Sequence, residues 1–322
     1  MRSKPSHLGG LCLISLMLLS ILVACTSAPI EEPESPVGVP TFPVEMTDQA
    51  GRVVRIEKIP EKIISLAPSN TEIVYALGLE DRLVGVTEYC DYPEAAKEKP
   101  LIGGFSTVDI EKVVAIQPDL ILATNIHKDE VLPQLERLGL TVLTLDPKTV
   151  DEILEAINLI GWFTGKKEEA SHLVTEMENR IKAVTDKTLA LPEAQRPAVF
   201  YILWHDPLRT VNAEARIHEL IVKSGGMNIA EDLEGDYPTM SLEAVLMANP
   251  QVIIAGSGHG TGENLPFQFA LTEPRLAEVE ARRNDRVYEI DADLTSRPAP
   301  RIVDGLEKLA EFIHPELFGE SP

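Results

Sequence analysis

Along most of this 322-residue chain, short unbroken runs of Leu, Ile, Val and Ala alternate with stretches whose apolar positions recur every three or four residues. Runs of the first kind, bounded by turn residues, read as strands covered on both faces; the second spacing lines apolar side chains along one stripe of a helix. The pattern predicts strands over 62–67, 83–87, 120–123 and 141–145, with helices near 69–79, 110–116 and 129–138. A short hairpin over 44–59, turning at Asp48-Gln49-Ala50-Gly51, precedes them. Alternating strand and helix implies a mainly parallel sheet with helices on both faces. The rhythm returns with strands over 198–203, 252–255 and 287–290 and helices near 215–224, 242–248 and 301–312.

Between these two series, residues 149–188 read as one long helical stretch with Gly165 as a candidate break. Ile153, Ile157 and Ile160, then Leu173, Met177, Ile181 and Val184, fall on one stripe. About 22 residues from Lys166 would span roughly 33 Å at 1.5 Å per residue. The expected architecture is therefore α/β: two α/β lobes bridged by one long α-helix, with a ligand cleft between the lobes. The expected boundaries are 44–160 for the first lobe, 161–190 for the bridge and 191–322 for the second lobe. Ser69-Asn70-Thr71-Glu72 reads as a capping box, in which Ser69 accepts from a free helix amide and Glu72 reaches back to the cap.

One phrase occurs twice. DIEKVVAIQPDLILAT at 109–124 and SLEAVLMANPQVIIAG at 241–256 align Glu111 with Glu243, Val113 with Val245, Pro118 with Pro250 and Ile121 with Ile253. Each copy has a good N-cap (Asp109 or Ser241), a short helix, a stopping proline and a buried strand. Any two helix-to-strand units share such features, but a repeat 132 residues on also fits two lobes of equivalent build.

The first 24 residues stand apart. Arg2 and Lys4 precede an apolar run over 11–24 without an acidic residue, the layout of a secretory signal and too short to cross a bilayer. The run ends Leu22-Val23-Ala24-Cys25, which resembles the lipobox of bacterial lipoproteins, where the cysteine is acylated and becomes the first mature residue. A proline- and glutamate-rich tether over 25–43 follows, so the protein is expected outside the cytoplasmic membrane, anchored by lipid rather than spanning it. With Cys12 in the signal and Cys25 acylated, Cys90 alone remains, and the fold must stand without an internal disulfide. The chain carries 29 basic and 51 acidic residues, a net charge of −22 that becomes −24 once Arg2 and Lys4 are removed. Such a surface speaks against nucleic acid as a partner and suits one that presents arginine or lysine.

Ligands of open α/β sheets bind beyond the carboxyl ends of the strands. Aromatic residues make up 5% of the chain, yet Tyr89, Tyr92 and Trp204, together with Phe105 and Tyr237, fall in predicted loops. Rings on facing walls suit a large, flat, partly apolar ligand, although each could instead cap its own lobe. His127, His205 and His259 also lie in loops that follow strands and are candidate contacts, including an axial one to a ligand's metal. None has the spacing of a zinc site, no CxxC or HExxH occurs, and no metal site of the protein's own is expected. The glycine-rich run over 256–262 lacks the ending of a phosphate-binding loop and reads as a mobile lip. No nucleophile elbow or paired acid and base is recognisable, so binding rather than catalysis is expected.

The phrases IISLAPSNTEIVYALGLEDRLVGVTEYCDYP, IEKVVAIQPDLILA, WHDPLRT, KSGGMNIA and SLEAVLMANPQVIIA together resemble one family. It is that of the substrate-binding lipoproteins of helix-bridged ABC importers, which carry cobalamin, haem or ferric siderophores. The resemblance covers nearly everything after the tether. It implies two lobes closing on a ligand and a monomer that serves a permease dimer with its ATPase subunits. It also implies one glutamate on top of each lobe, at Glu111 and Glu243, entering arginine pockets of the permease. TEYCDYP and GGFST look closest to the cobalamin binders, which implies a cobalt corrinoid as cargo, with Tyr89, Phe105 and Tyr237 against the ring. Phe105 and Tyr237 fall where that family has tryptophan, and Trp204-His205 departs from its pattern. Arg297, in SRPAPR, would meet an acidic group of a ferric siderophore, so siderophore and haem stand as alternatives.

Overall fold

A computed structural model of the chain describes residues 42–258 and 264–319. The signal segment, Cys25, the tether as far as residue 41 and His259 lie outside the described residues. All described residues belong to one compact unit.

The strands β1 (Val44–Thr47) and β2 (Val53–Ile56) pair antiparallel, with Val44 opposite Ile56. Their turn docks on the edge of the first sheet, where Thr144 N donates to Asp48 Oδ2 at 3.0 Å and Gln49 N to Thr144 O at 3.2 Å. This covers backbone groups that an edge strand would otherwise leave open. That sheet contains β3 (Ile63–Ser65), β4 (Leu83–Val86), β5 (Leu120–Ala123) and β6 (Val142–Thr144), all parallel, in the order β4-β3-β5-β6. The helices α1 (Pro68–Ala76), α2 (Ile110–Ile116) and α3 (Val131–Arg137) run between them.

The second lobe opens with β7 (Ala198–Ile202), continues through a small hairpin of β8 (Trp204–His205) and β9 (Leu208–Arg209), and completes its sheet with β10 (Met227–Asn228), β11 (Val252–Ser257) and β12 (Val287–Asp291). The order is β10-β7-β11-β12, again parallel. Numbered within its own lobe, each sheet reads 2-1-3-4.

The alternation along the strands explains how three apolar clusters form. Ile63, Leu120 and Leu122 of the first sheet and Val199, Tyr201, Val252 and Ile254 of the second point into one continuous central core. Their neighbours Ile64, Ile121 and Ala123 face a separate cluster on the outer side of the first sheet, and Phe200, Ile202, Ile253 and Ala255 do the same in the second. Side chains one residue apart on a strand point to opposite faces, so each fully apolar strand serves two layers.

The bridge consists of two helices, α4 (Val150–Thr164) and α5 (Lys167–Thr188). Gly165 separates them at φ 73°, a left-handed conformation that glycine adopts without a steric penalty. The 22 residues of α5 are therefore one arm of a bent connection. Arg180 of α5 donates to both Asp304 and Glu307 at 2.6 Å, on α11 (Ile302–Ile313) of the second lobe. Thr188 donates to Lys223 O at 2.6 Å, at the end of α6 (Arg216–Lys223). The second lobe is completed by α7 (Leu242–Ala248), α8 (Leu265–Thr272), α9 (Glu280–Arg283), α10 (Ala292–Ser296) and the terminal α12 (Pro315–Phe318).

The repeated phrase folds as one unit twice. Both α2 and α7 have 7 residues, with Asp109 Oδ1 accepting from Lys112 N in the first and Ser241 Oγ from Ala244 N in the second. Both end in a left-handed residue, Gln117 at φ 54° and Asn249 at φ 45°, before the proline and the third strand of the lobe. Each helix turns directly into the amino end of its strand and so begins at the carboxyl edge of its sheet. Glu111 and Glu243, in the first turns, lie toward that edge in both lobes.

The capping box expected at Ser69-Glu72 does not form. The cap position of α1 is Ala67, with no side-chain bond. Glu72, only 3% exposed, turns instead to the other lobe, where Arg301 Nε and Nη2 each donate to it at 2.8 Å and Arg297 Nη1 at 3.3 Å. Two guanidinium groups attract this carboxylate more strongly than one backbone amide does.

Candidate ligand-binding site

A cavity of about 710 Å³ opens beyond the carboxyl ends of the second sheet. The segment after β7 contributes Leu203 and Trp204, the loop after β10 contributes Asp236 and Tyr237, and the segment after β12 contributes Thr295 and Ser296. Asn212, Glu214 and the start of α6, including Arg216, close one side, and Lys148, from the loop after β6, brings in the first lobe. This is where open parallel sheets place ligands.

The ring of Trp204 stands on the hairpin rather than in a free loop. Its exposure is 37%, its Nε1–H donates to Asp206 O at 2.9 Å, and it lies 5.0 Å from the ring of His205. Behind it, His205 approaches Phe269 at 6.3 Å, and its buried Nδ1 has no hydrogen-bond partner and no access to a ligand. His205 thus backs Trp204. Tyr237 is 51% exposed and holds a left-handed backbone at φ 48°, a conformation that costs a bulky residue about 1–3 kcal/mol and persists only when its surroundings impose it. They do so from both sides. Asn212 Nδ2 donates to Leu233 O at 3.0 Å and Gly235 O at 3.1 Å, and Thr210 N donates to Pro238 O at 3.0 Å.

Below the cavity, Tyr201 is fully buried, and its hydroxyl lies 3.0 Å from Thr295 Oγ1, which itself donates to Ala292 O at 3.2 Å. Tyr201 is therefore the donor to Thr295, and burial pushes its phenol up to about 12, so it stays neutral. Gly256 makes room for it, since a Cβ there would come within 2.9 Å of the Tyr201 hydroxyl.

In the first lobe, Tyr89 and Tyr92 are 52% and 44% exposed. Phe105 is half-buried with its ring edge-on to His127 at 5.6 Å. The loops carrying Tyr89 and Phe105 are joined by Glu88 N donating to Gly103 O at 3.1 Å. Neither Tyr89 nor Phe105 borders the cavity of Trp204 and Tyr237.

Two expected ligand contacts are corrected. His127 is 1% exposed; its Nδ1 accepts from Thr124 N at 3.0 Å, which leaves Nε2–H to donate to Phe105 O at 2.8 Å. Both nitrogens are occupied, burial holds the imidazole below its ordinary value, and the residue positions the Phe105 loop instead of meeting a ligand. Arg297 does not offer a free cation. It binds Asp91 and Asp293 at 2.7 Å each as well as Glu72, and although burial opposes its charge, these carboxylates together hold it above the usual guanidinium range. Arg301 stacks over the ring of Tyr92 at 3.6 Å, so Tyr92 belongs to this junction between the lobes.

Sequence reasoning missed Lys148, Asn212, Arg216 and Thr295. Arg216 donates to Ser296 O at 2.7 Å and also to Pro147 O, tying the two lobes beside the cavity, while its Nε is buried without a partner. The position of Lys148 just after a predicted strand was a usable signal; nothing in the sequence marks Asn212 or Thr295. Among the described residues no group of three or more His, Cys, Asp or Glu is placed to hold a metal ion, and no helix is long and apolar enough to cross a membrane.

Residues 63–294 match the sequence profile of the periplasmic binding proteins. The chain belongs to that family. An uncharacterized ABC transporter substrate-binding lipoprotein of Bacillus subtilis is 33% identical over 313 residues, 95% of this chain and 97% of the relative. A vitamin B12-binding protein of Vibrio cholerae serotype O1 is 34% identical over 254 residues, 79% of this chain and 89% of its own length. The crystal structure of a possible iron-binding, periplasmic solute-binding protein from Staphylococcus epidermidis superposes with a TM-score of 0.69 at 27% identity, covering 80% of this chain and all of that one. This periplasmic binding protein is thus the substrate-binding component of an ABC importer, acting outside the cytoplasm. It binds a small ligand and passes it to a permease, and its family consists of solute binders rather than enzymes.

Proposed function

We propose that this protein captures a cobalt corrinoid of the cobalamin type between its lobes and delivers it to its importer as a lipid-anchored monomer. Cys25 would carry the lipid on the outer side of the cytoplasmic membrane, and Glu111 and Glu243 would dock one on each permease subunit. The observation that carries the ligand reading is the display of rings: Tyr89, Trp204 and Tyr237 are between 37% and 52% exposed, and two of them border the cavity. Water-exposed rings held by a rigid frame bind a broad flat ligand by area burial and stacking, at little ordering cost. The vitamin B12-binding relative supports the same cargo.

A ferric siderophore or haem is the second reading, favoured by the cations Lys148 and Arg216 on the cavity wall and by the iron-binding structural relative. Titration calorimetry of the purified protein with cyanocobalamin separates them. Saturable binding at micromolar strength or tighter is expected. A flat cyanocobalamin titration beside a saturable one with a ferric siderophore or haemin moves the cargo to iron.

A further inference from the structure

The two docking helices are copies in length, cap and place in the sheet order, so their exposed residues can be compared one for one. Glu111 corresponds to Glu243, Val114 to Leu246 and Ala115 to Met247. In each helix the last two stand three and four positions after the glutamate, on the same face one turn along. Val114 is 39% exposed, Leu246 36% and Met247 88%, the most exposed large apolar residue among those described. The fold has no use for Met247 there, because α7 is already seated through Leu242 and Val245 in the outer cluster of its lobe.

We infer that the permease is gripped by an apolar contact beside each carboxylate, and that Met247 is the dominant one, entering an apolar recess next to the cation that receives Glu243. The inference rests on the docking reading of Glu111 and Glu243 and adds a second kind of contact to it. Charge complementarity fixes the occupant. The side chain of Glu243 is 76% exposed, with Arg275 Nη1 no nearer than 3.9 Å, and Glu111 has no ion-pair partner within 4.0 Å among the described residues. Both glutamates are thus open to a basic partner, and the flexible thioether beside one of them adapts to a recess whose shape it did not evolve inside. A permease with two like subunits meets unequal knobs, a Met on one lobe and an Ala on the other. The second lobe then contributes the larger share of the apolar grip.

The test uses the importer's permease and ATPase complex in nanodiscs, with docking of the ligand-free protein followed by biolayer interferometry at low and high salt. Met247→Ser is expected to weaken docking about tenfold by the same factor at both salt concentrations, because apolar contacts are not screened. Ala115→Met is expected to tighten it severalfold by adding the missing knob. The paired change Glu111→Arg and Glu243→Arg is expected to abolish docking. If Met247→Ser docks like the parent while the paired charge change does not, the apolar anchor is overturned and the carboxylate docking stands. If the paired charge change also docks like the parent, the docking surface itself is wrong. An effect of Met247→Ser that disappears at high salt overturns the apolar assignment too.

Discussion

Trp204 and Tyr237 are the two aromatic rings that border the cavity, 37% and 51% exposed. A large ring transferred from water to a ligand contact is worth a few kcal/mol, and such rings dominate small-molecule and protein recognition alike. Trp204→Ala is expected to weaken binding of the cargo 10- to 100-fold with no loss of thermal stability, checked by calorimetry beside a melting curve. Asn212 acts at one remove, holding the left-handed backbone of Tyr237 through two carbonyls. Asn212→Ala should weaken binding by a smaller factor and leave the Trp204 contribution intact. His127 offers a pH test. Burial lowers its folded value below the ordinary 6.5, so the unfolded chain takes up a proton more readily than the folded one. Its contribution to stability is intact above about pH 6.5 and is lost as the pH falls below that. The parent should therefore lose stability relative to His127→Gln as the pH falls below about 6.5, as read by urea midpoints. A stability difference that is flat with pH, or one in which the parent gains on the variant as the pH falls, would rule this out. That Trp204 and Tyr237 would stand outside the core was readable from a sequence with few aromatics, whereas the role of Asn212 was not, because it exists only through two carbonyls more than twenty residues away.

At the scale of elements, local rules worked where the partner was local. Asp109 and Ser241 cap their helices, Gly165 breaks the bridge, and the asparagine and glutamine before each proline take the left-handed turn. They failed at Glu72, whose partners sit 225 and 229 residues away in the segment that joins α10 to α11. The Glu72, Arg297 and Arg301 cluster sits at the lobe junction with both arginine side chains 16% exposed and the carboxylate 2% exposed. Removing one member of a buried pair leaves an uncompensated charge, so Arg301→Met should cost about 3 kcal/mol in urea denaturation. Replacing Glu72 and Arg301 together by Leu should recover much of that loss. If Arg301→Met were neutral, the junction would owe its rigidity to the central core alone.

For the whole molecule, the continuous core through α4 and α5 and the ion pairs of Arg180 with α11 make the two lobes one body, and the repeat places one carboxylate at the corresponding edge of each. Changing Glu111 and Glu243 together to Arg should leave cargo affinity within about twofold and abolish uptake in reconstituted vesicles; loss of cargo binding instead would make them ligand or fold residues. The sequence by itself determined what depends on period and near neighbours: the alternation of strand and helix, the doubled phrase with its caps, the long connector and the presence of loop aromatics. Tertiary structure decided which long-range partner each charged group takes. Arg297 and Glu72 go to each other rather than to a ligand and a helix cap, and His127 is turned inward. The reason is physical: apolar spacing is written along the chain at every turn, but the strength of an ion pair or a buried hydrogen bond depends on distance and dielectric, which are set only when remote segments are brought together.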